Sequence, residues 1–111
     1  MVDLTALALR VRSDVETYVV PERHPDQKGA ELPAEWFEAG LAGMRAALVE
    51  PHWVDVPGTT GKRALVVADD GHTVVVYDPA EDADFLLLQR INGQMFNCHV
   101  RGDAVGCFLA S

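Results

Sequence analysis

The chain has few basic residues. Nine Lys and Arg stand against 17 Asp and Glu, which gives a formal net charge of −8. Proteins that bind nucleic acid neutralise its phosphates with clustered Lys and Arg, whereas the cations of this chain are scattered along it. The composition therefore argues against nucleic acid as a partner and favours fast association with a basic protein.

Long apolar runs are also missing. No stretch approaches the ~20 residues that a helix needs to cross a bilayer. The first residues have neither the basic start nor the apolar core of a secretory signal. We therefore expect no membrane contact and a cytoplasmic location, where thiols are kept reduced. The 111 residues fit a single domain, 1–111, which is helical over 3–49 and strand-rich over 52–110.

Apolar residues recur at intervals of three and four in the first half of the chain. This spacing predicts a helix from Asp3 to about Val19, with Asp3 as its N-cap. Ser13 and Glu16 also have the spacing of a capping box, so the segment could instead form two pieces. A second helix is predicted from Pro33 to about Val49, because proline is tolerated in the first helical turn.

After Pro51 the apolar period changes to two, which indicates strands. Asp70-Gly71 and Asn92-Gly93 suit two-residue type I′ hairpin turns, and Gly102-Asp103 suits a type II′ turn. The sequence therefore predicts an α+β fold, in which two N-terminal helices pack on one face of a six-stranded antiparallel, mostly meander sheet.

These turns also predict which strand residues pair. They place Val67 opposite Val74, Leu87 opposite Cys98, and Cys98 opposite Cys107. We expect one sheet face, the helix-facing side, to carry Val54, Leu65, Val67, Val74, Val76, Phe85, Leu87, Phe96, Cys98, Val100, Val105, Cys107 and Leu109.

The opposite sheet face, turned away from the helices, is called the outer face. Large apolar groups alternate with polar ones on it, so it requires a cover: a helix, a second copy of the chain, or a ligand or partner. Its predicted apolar members are Trp53, Val66, Val75, Tyr77, Leu86, Leu88, Met95 and Phe108. We expect a partner or ligand to contact Trp53, Tyr77, Leu86, Leu88, Arg90, Asn97, His99 and Phe108.

Residues with catalytic or metal-binding chemistry are scarce. The only serines are Ser13 and Ser111, which argues against a serine nucleophile. Cys98 and His99 are strand neighbours that point to opposite faces, so they cannot share a metal unless the strand is bulged there. We predict no metal site and no cofactor, and we interpret Cys98 and Cys107 as reduced, buried hydrophobic residues, although a cross-strand disulfide is geometrically conceivable.

Two functional interpretations stay open. The first is a non-enzymatic acidic interaction module, a homodimer or the binder of a basic partner protein, which uses the outer face. The helix "LPAEWFEAGLAGMRAALVEP" followed by a strand meander is similar in layout, size and acidity to some toxin-neutralising immunity proteins, although no motif supports that likeness. The alternative is a small-ligand-binding protein or enzyme with a pocket around His99, Tyr77 and Arg90.

Overall fold

The computed structural model describes residues 2–19, 34–59, 61–79 and 84–110. Their elements are helices α1 (Leu4–Glu16) and α2 (Ala34–Ala47), strands β1 (Leu48–Asp55), β2 (Arg63–Asp69), β3 (Thr73–Asp78), β4 (Asp84–Ile91) and β5 (Gln94–Gly102), and helix α3 (Ala104–Leu109). The strands form one antiparallel sheet in the order β1-β2-β3-β4-β5. The α+β class and the antiparallel meander are confirmed, whereas the described residues contain five strands and three helices in place of the predicted six strands and two helices.

The first helix follows its sequence pattern. The carboxylate of Asp3 caps α1 by accepting a hydrogen bond from the backbone N–H of Ala6 at 3.0 Å. Leu7, Val11 and Val15 form the buried stripe of the helix. The predicted N-cap is therefore correct, and α1 continues past Ser13 without a break.

Helix α2 ends earlier than its pattern suggests. It passes directly into β1 at Leu48, and Pro51 lies inside that strand instead of stopping the helix. The pairing of β1 with β2 is irregular between Leu48 and His52, so the proline occupies a bulged part of an edge strand, where its missing N–H is tolerated. The predicted helical start at Pro33 lies outside the described residues.

The C-terminal segment is a helix and not the predicted sixth strand. Asp103 caps α3 by accepting a hydrogen bond from the backbone N–H of Gly106 at 3.0 Å. The helix packs against α2, β3 and β4. Phe108 and Leu109 approach Gly43 and Gly40 so closely that a Cβ atom at Gly40 would overlap Leu109. Gly40 and Gly43, which lack a Cβ, thus allow α3 to lie close against α2.

Two departures from ideal strand pairing determine which side chains share a face. Val66 pairs with Val76 but Ala68 pairs with Val75, so a bulge at Val67 turns β3 over relative to the predicted pairing. Val74 and Val76 consequently lie on the outer face and Val75 and Tyr77 on the helix-facing side, the reverse of the prediction. The predicted pairing of Val67 with Val74 is wrong for a second reason. Val74 pairs with Asp69, and the backbone N–H of Asp70 donates to the carbonyl of Thr73 at 3.1 Å, so the turn lies at Gly71-His72 and the predicted Asp70-Gly71 type I′ turn is corrected.

The Asn92-Gly93 hairpin forms as predicted. Ile91 pairs with Gln94, and Asn92 and Gly93 have φ angles of 53° and 80°, the positive values that a type I′ turn requires. Farther along, β5 contains two additional residues, because Leu88 pairs with Asn97 and Leu87 pairs with Val100. The predicted pairing of Leu87 with Cys98 is therefore wrong.

Apolar side chains are buried on both sides of the sheet. On the helix-facing side Leu65, Val67, Phe85 and Leu87 pack with residues of all three helices. The outer face has its own cluster of side chains no more than 2 % exposed: Val56, Ala64, Val66, Val74, Val76, Leu86 and Leu88. The described helices all pack on the helix-facing side, so none of them covers this second cluster.

Candidate functional site

The outer face differs from the exposed apolar patch that the sequence suggests. Leu86 and Leu88 lie on it as predicted, but they are only 2 % and 0 % exposed. Val49, Val54 and Met95 pack against the same cluster. The two leucines are therefore core residues of this face, with almost no surface exposed for a partner to contact.

Three other predicted contact residues lie elsewhere. Tyr77 packs on the helix-facing side, where its ring meets that of Phe85 at a centroid distance of 5.2 Å. Phe108 belongs to α3 and is buried on that same side. Trp53 pairs with Leu65, which assigns it to the helix-facing side as well, and it stays 41 % exposed under the guanidinium of Arg63. The outer-face assignments of all three residues are thus corrected.

Arg90 is engaged in an ion pair at one end of the sheet. Its two terminal nitrogens donate to the two carboxylate oxygens of Asp69 at 2.6 and 2.9 Å, a bidentate geometry. This hydrogen bonding lowers the pKa of Asp69 below its usual value, in spite of the opposing effect of partial burial. Because Tyr77 lies on the other side of the sheet, the ligand pocket predicted around His99, Tyr77 and Arg90 does not assemble from those three residues.

A second charged cluster lies at the opposite end of β3. Asp78 is fully buried, and its carboxylate binds Nζ of Lys62 at 2.7 Å and a terminal nitrogen of Arg101 at 3.2 Å. The Nε atom of Arg101 also donates to Asp84 at 3.3 Å. Since buried charges are retained where they are paired, this cluster has a sufficient structural explanation in joining β3, β4 and β5.

Asn97 and His99 come together in the irregular part of β5. The Asn97 side-chain oxygen accepts a hydrogen bond from the backbone N–H of His99 at 2.8 Å, and His99 has a left-handed φ of 57°. The loop after β1 approaches this part of the strand. Pro57, Gly58 and Thr59 face Met95, Phe96, Asn97 and His99 across a cleft of about 270 Å³, here called the β5 cleft.

The β5 cleft combines apolar walls with a few polar groups. Pro57, Met95 and Phe96 supply the apolar surface, while Thr59 and His99 contribute groups that can hydrogen-bond. Its volume is below the ~300–1,000 Å³ of a typical ligand pocket but is sufficient for one large side chain. Phe96 is 47 % exposed, although the sequence suggested a core position.

The sequence prediction did not include the loop residues of this cleft. Turn-forming residues indicate where the chain changes direction, but they do not indicate which strand the turn contacts. Pro57-Gly58-Thr59 reads as a turn, and nothing in its composition indicates that it meets β5. Asn97 itself was a usable signal, because an Asn side chain often accepts a hydrogen bond from the backbone N–H two residues on and so forms an Asx turn.

The two cysteines are not cross-strand neighbours, because Cys107 lies on α3. Both are free, and Cys107 is buried while Cys98 is half-buried. Burial raises the pKa of the Cys107 thiol to about 11 and also raises the pKa of Cys98. Both contribute to the apolar cluster on the helix-facing side, as the sequence suggested.

Within the described ranges, no group of three or more His, Cys, Asp or Glu side chains is arranged to hold a metal ion. Among the helices of the described residues, none combines the length and apolarity needed to span a bilayer. Comparisons of this chain with protein-family models, with curated proteins and with solved structures give no match.

Proposed function

We propose that this chain is a small acidic interaction module without catalytic activity of its own, and that it binds a basic partner protein at the β5 cleft. The observation that carries the proposal is the exposure of Phe96 at 47 % on an edge strand, beside a cleft with apolar walls. Aromatic side chains at such positions are common anchors of protein interfaces.

The shape of the cleft favours a partner side chain over a free ligand. A cleft of about 270 Å³ encloses one large side chain, and most of a drug-sized molecule would remain outside it. Thr59 and His99 at its rim can orient polar groups of the partner. The residues that carry this proposal are thus Asn97 and His99 from the sequence prediction, together with Met95 and Phe96.

Charge favours a basic partner. With 17 acidic and nine basic residues, the chain attracts a cationic protein over distances up to about one Debye length, which accelerates encounter most at low ionic strength, where that length is greatest. Two copies of a chain with a net charge of −8 repel one another by the same effect. The predicted homodimer is therefore the competing occupant of the cleft, and the experiment below distinguishes the two.

The test uses the purified chain as bait in an extract of its own cells, followed by mass spectrometry and a binding measurement with the purified candidate partner. Phe96→Ser is compared with Ile91→Ser, a matched control that is 45 % exposed on the same hairpin but does not line the cleft. We expect a basic partner whose affinity falls about tenfold or more with Phe96→Ser and changes less than about twofold with Ile91→Ser.

Three results would oppose the proposal. These are failure to capture any basic protein, equal affinity of wild type and Phe96→Ser, or affinity that is insensitive to salt. Sedimentation velocity of the chain alone tests for a homodimer. A concentration-dependent dimer that Phe96→Ser abolishes would identify a second copy of the chain as the occupant of the β5 cleft. Both substituted residues are exposed, so thermal unfolding should show that the variants fold.

A further inference from the structure

A larger cleft lies between the first two turns of α1 and the end of β3. It measures about 500 Å³, shares no lining residue with the β5 cleft, and is here called the α1 cleft. Val2, Leu7 and Pro79 supply apolar walls, and the side chains of Arg10 and Tyr77 also line it. Its volume is in the range of sites for small organic molecules.

Arg10 is held in place by aromatic rings. Its guanidinium carbon lies 5.3 Å from the ring centroid of Phe85 and 6.0 Å from that of Tyr77, within the range of cation–π attraction. A guanidinium that rests on a ring by its face keeps its N–H edge available for a planar oxyanion. The two aromatic contacts thus restrict the side chain of Arg10 before any ligand arrives.

Within the described part of the chain, no carboxylate lies within 4.0 Å of Arg10. Arg45, Arg90 and Arg101, in contrast, each bind an acidic side chain. An oriented arginine with an unused hydrogen-bonding edge, next to an apolar cleft, is suited to a carboxylate because both groups are planar and can form two parallel hydrogen bonds.

The acidic residue of the cleft does not prevent this. The carboxylate of Asp3 caps α1 through the N–H of Ala6 and lies seven residues before Arg10, about 10 Å along the helix axis. At physiological ionic strength the Debye length is about 8 Å, so repulsion between Asp3 and an anion at Arg10 is screened. Polyanions are disfavoured all the same, since Arg10 is the one cation among the described residues that line the cleft and the chain is strongly acidic.

We infer that the α1 cleft binds a small monocarboxylate with an apolar body, whose carboxylate is held by Arg10 and whose apolar part lies against Val2, Leu7 and Pro79. The inference is independent of the proposed function, because it concerns a different cleft and different residues. A medium-chain aliphatic acid such as octanoate has both features and serves as the probe.

The experiment is a titration of the full chain with sodium octanoate into the millimolar range, followed by NMR of backbone amides and arginine Nε–H groups. Arg10→Gln is compared with Arg12→Gln, the same charge change on the same helix at a position that does not line this cleft. Because hydrogen bonds between oppositely charged groups are stronger than those between neutral groups, we expect octanoate affinity to fall about tenfold or more with Arg10→Gln. It should change less than about twofold with Arg12→Gln, which makes no contact with the cleft.

Ligand charge provides the second comparison. The neutral analogue octanol should bind wild type and Arg10→Gln equally, and octylamine should bind more weakly than octanoate. The inference is overturned if octanoate shifts no NMR signal from a residue of the cleft, or if Arg10→Gln binds octanoate as tightly as wild type does. It is also overturned if octylamine binds wild type as tightly as octanoate does. Arg10 is exposed, so thermal unfolding should confirm that its variant folds.

Discussion

The side-chain oxygen of Asn97 accepts a hydrogen bond from the backbone N–H of His99 at 2.8 Å, at the point where β5 contains two more residues than β4. The bond closes a short turn inside the strand and holds His99 at a φ of 57°. This irregularity interrupts an edge strand, where it discourages pairing with other chains. It also positions the residues that line the β5 cleft.

The left-handed conformation of His99 leads to a first prediction. Glycine adopts positive φ readily, whereas a residue branched at Cβ is strongly disfavoured there. His99→Gly should therefore retain the stability of wild type or exceed it, and His99→Val should lie below His99→Gly by about 1–2 kcal/mol in the free energy of unfolding. Urea unfolding measures both.

The control for His99 is Gln94, which is exposed on β5 and is not among the non-glycine residues with positive φ. At Gln94 the order should reverse, with valine more stable than glycine, because extended strands favour β-branched residues. The same order of stability at both positions would contradict the assigned conformation of His99.

The cap of α3 provides a second prediction. Asp103→Ala should lower the free energy of unfolding by about 1 kcal/mol, while Asp103→Ser should retain most of the stability because serine also caps helices. Gly106→Ala should be destabilising as well, since a Cβ atom there would lie 2.6 Å from a carboxylate oxygen of Asp103. Thermal and urea unfolding of the three variants measure these differences. If Asp103→Ala and Asp103→Ser were equally stable, the capping interaction would not contribute.

The C-terminal helix shows where sequence reasoning failed. Val105, Cys107 and Leu109 alternate as in a strand, but Ala104 and Phe108 are also spaced as in a helix, and six residues are too few to separate the two periods. Gly102-Asp103 was interpreted as a hairpin turn, although Asp103 suits an N-cap equally well. Packing against α2, β3 and β4 favours the helix, and such tertiary contacts are not visible in local sequence.

Face assignments succeeded where strand pairing is regular and failed beyond a bulge. The Asn92-Gly93 turn correctly predicts that Gln89 pairs with Phe96, because only a few residues separate that pair from the turn. A bulge at Val67 shifts the pairing by one residue, which reverses the faces of Val75 and Tyr77. Of the predicted contact residues, Asn97 and His99 therefore meet at the β5 cleft, whereas Tyr77 lies on the other side of the sheet.

The cysteines give a third prediction. Only the thiolate attacks a thiol reagent, and a pKa of about 11 leaves about one thiol in a thousand ionised at pH 8 for Cys107, which is also buried. Half-buried Cys98 should therefore react first in the folded protein, and Cys107 should react only as the chain unfolds. Ellman's reagent with wild type, Cys98→Ala and Cys107→Ala separates the two rates. Rapid labelling of Cys107 in the folded Cys98→Ala variant would contradict the buried position of α3.

The ion pair between Asp69 and Arg90 leads to a prediction on pH. The pKa of Asp69 is lowered in the folded chain, chiefly by its hydrogen bonds to Arg90, so the unfolded chain takes up the proton first as the pH falls. The stability that this pair contributes is thus fully present above the ordinary carboxyl pKa near 3.9 and is lost as the pH falls through the lower folded value. Arg90→Gln should therefore flatten the dependence of unfolding free energy on pH between about 5 and about 2.

At neutral pH the same substitution should cost no more than about 1 kcal/mol, because both side chains are partly exposed and solvent screens the pair. Arg12→Gln serves as the control, since it removes an exposed arginine from α1 and should leave the pH dependence unchanged. Urea unfolding at a series of pH values gives both slopes. Equal pH dependence of the unfolding free energy in wild type and Arg90→Gln would show that Arg90 does not lower the pKa of Asp69. A flatter dependence in Arg90→Gln alone, and not in Arg12→Gln, assigns the acid-sensitive stability to this one contact between β2 and β4.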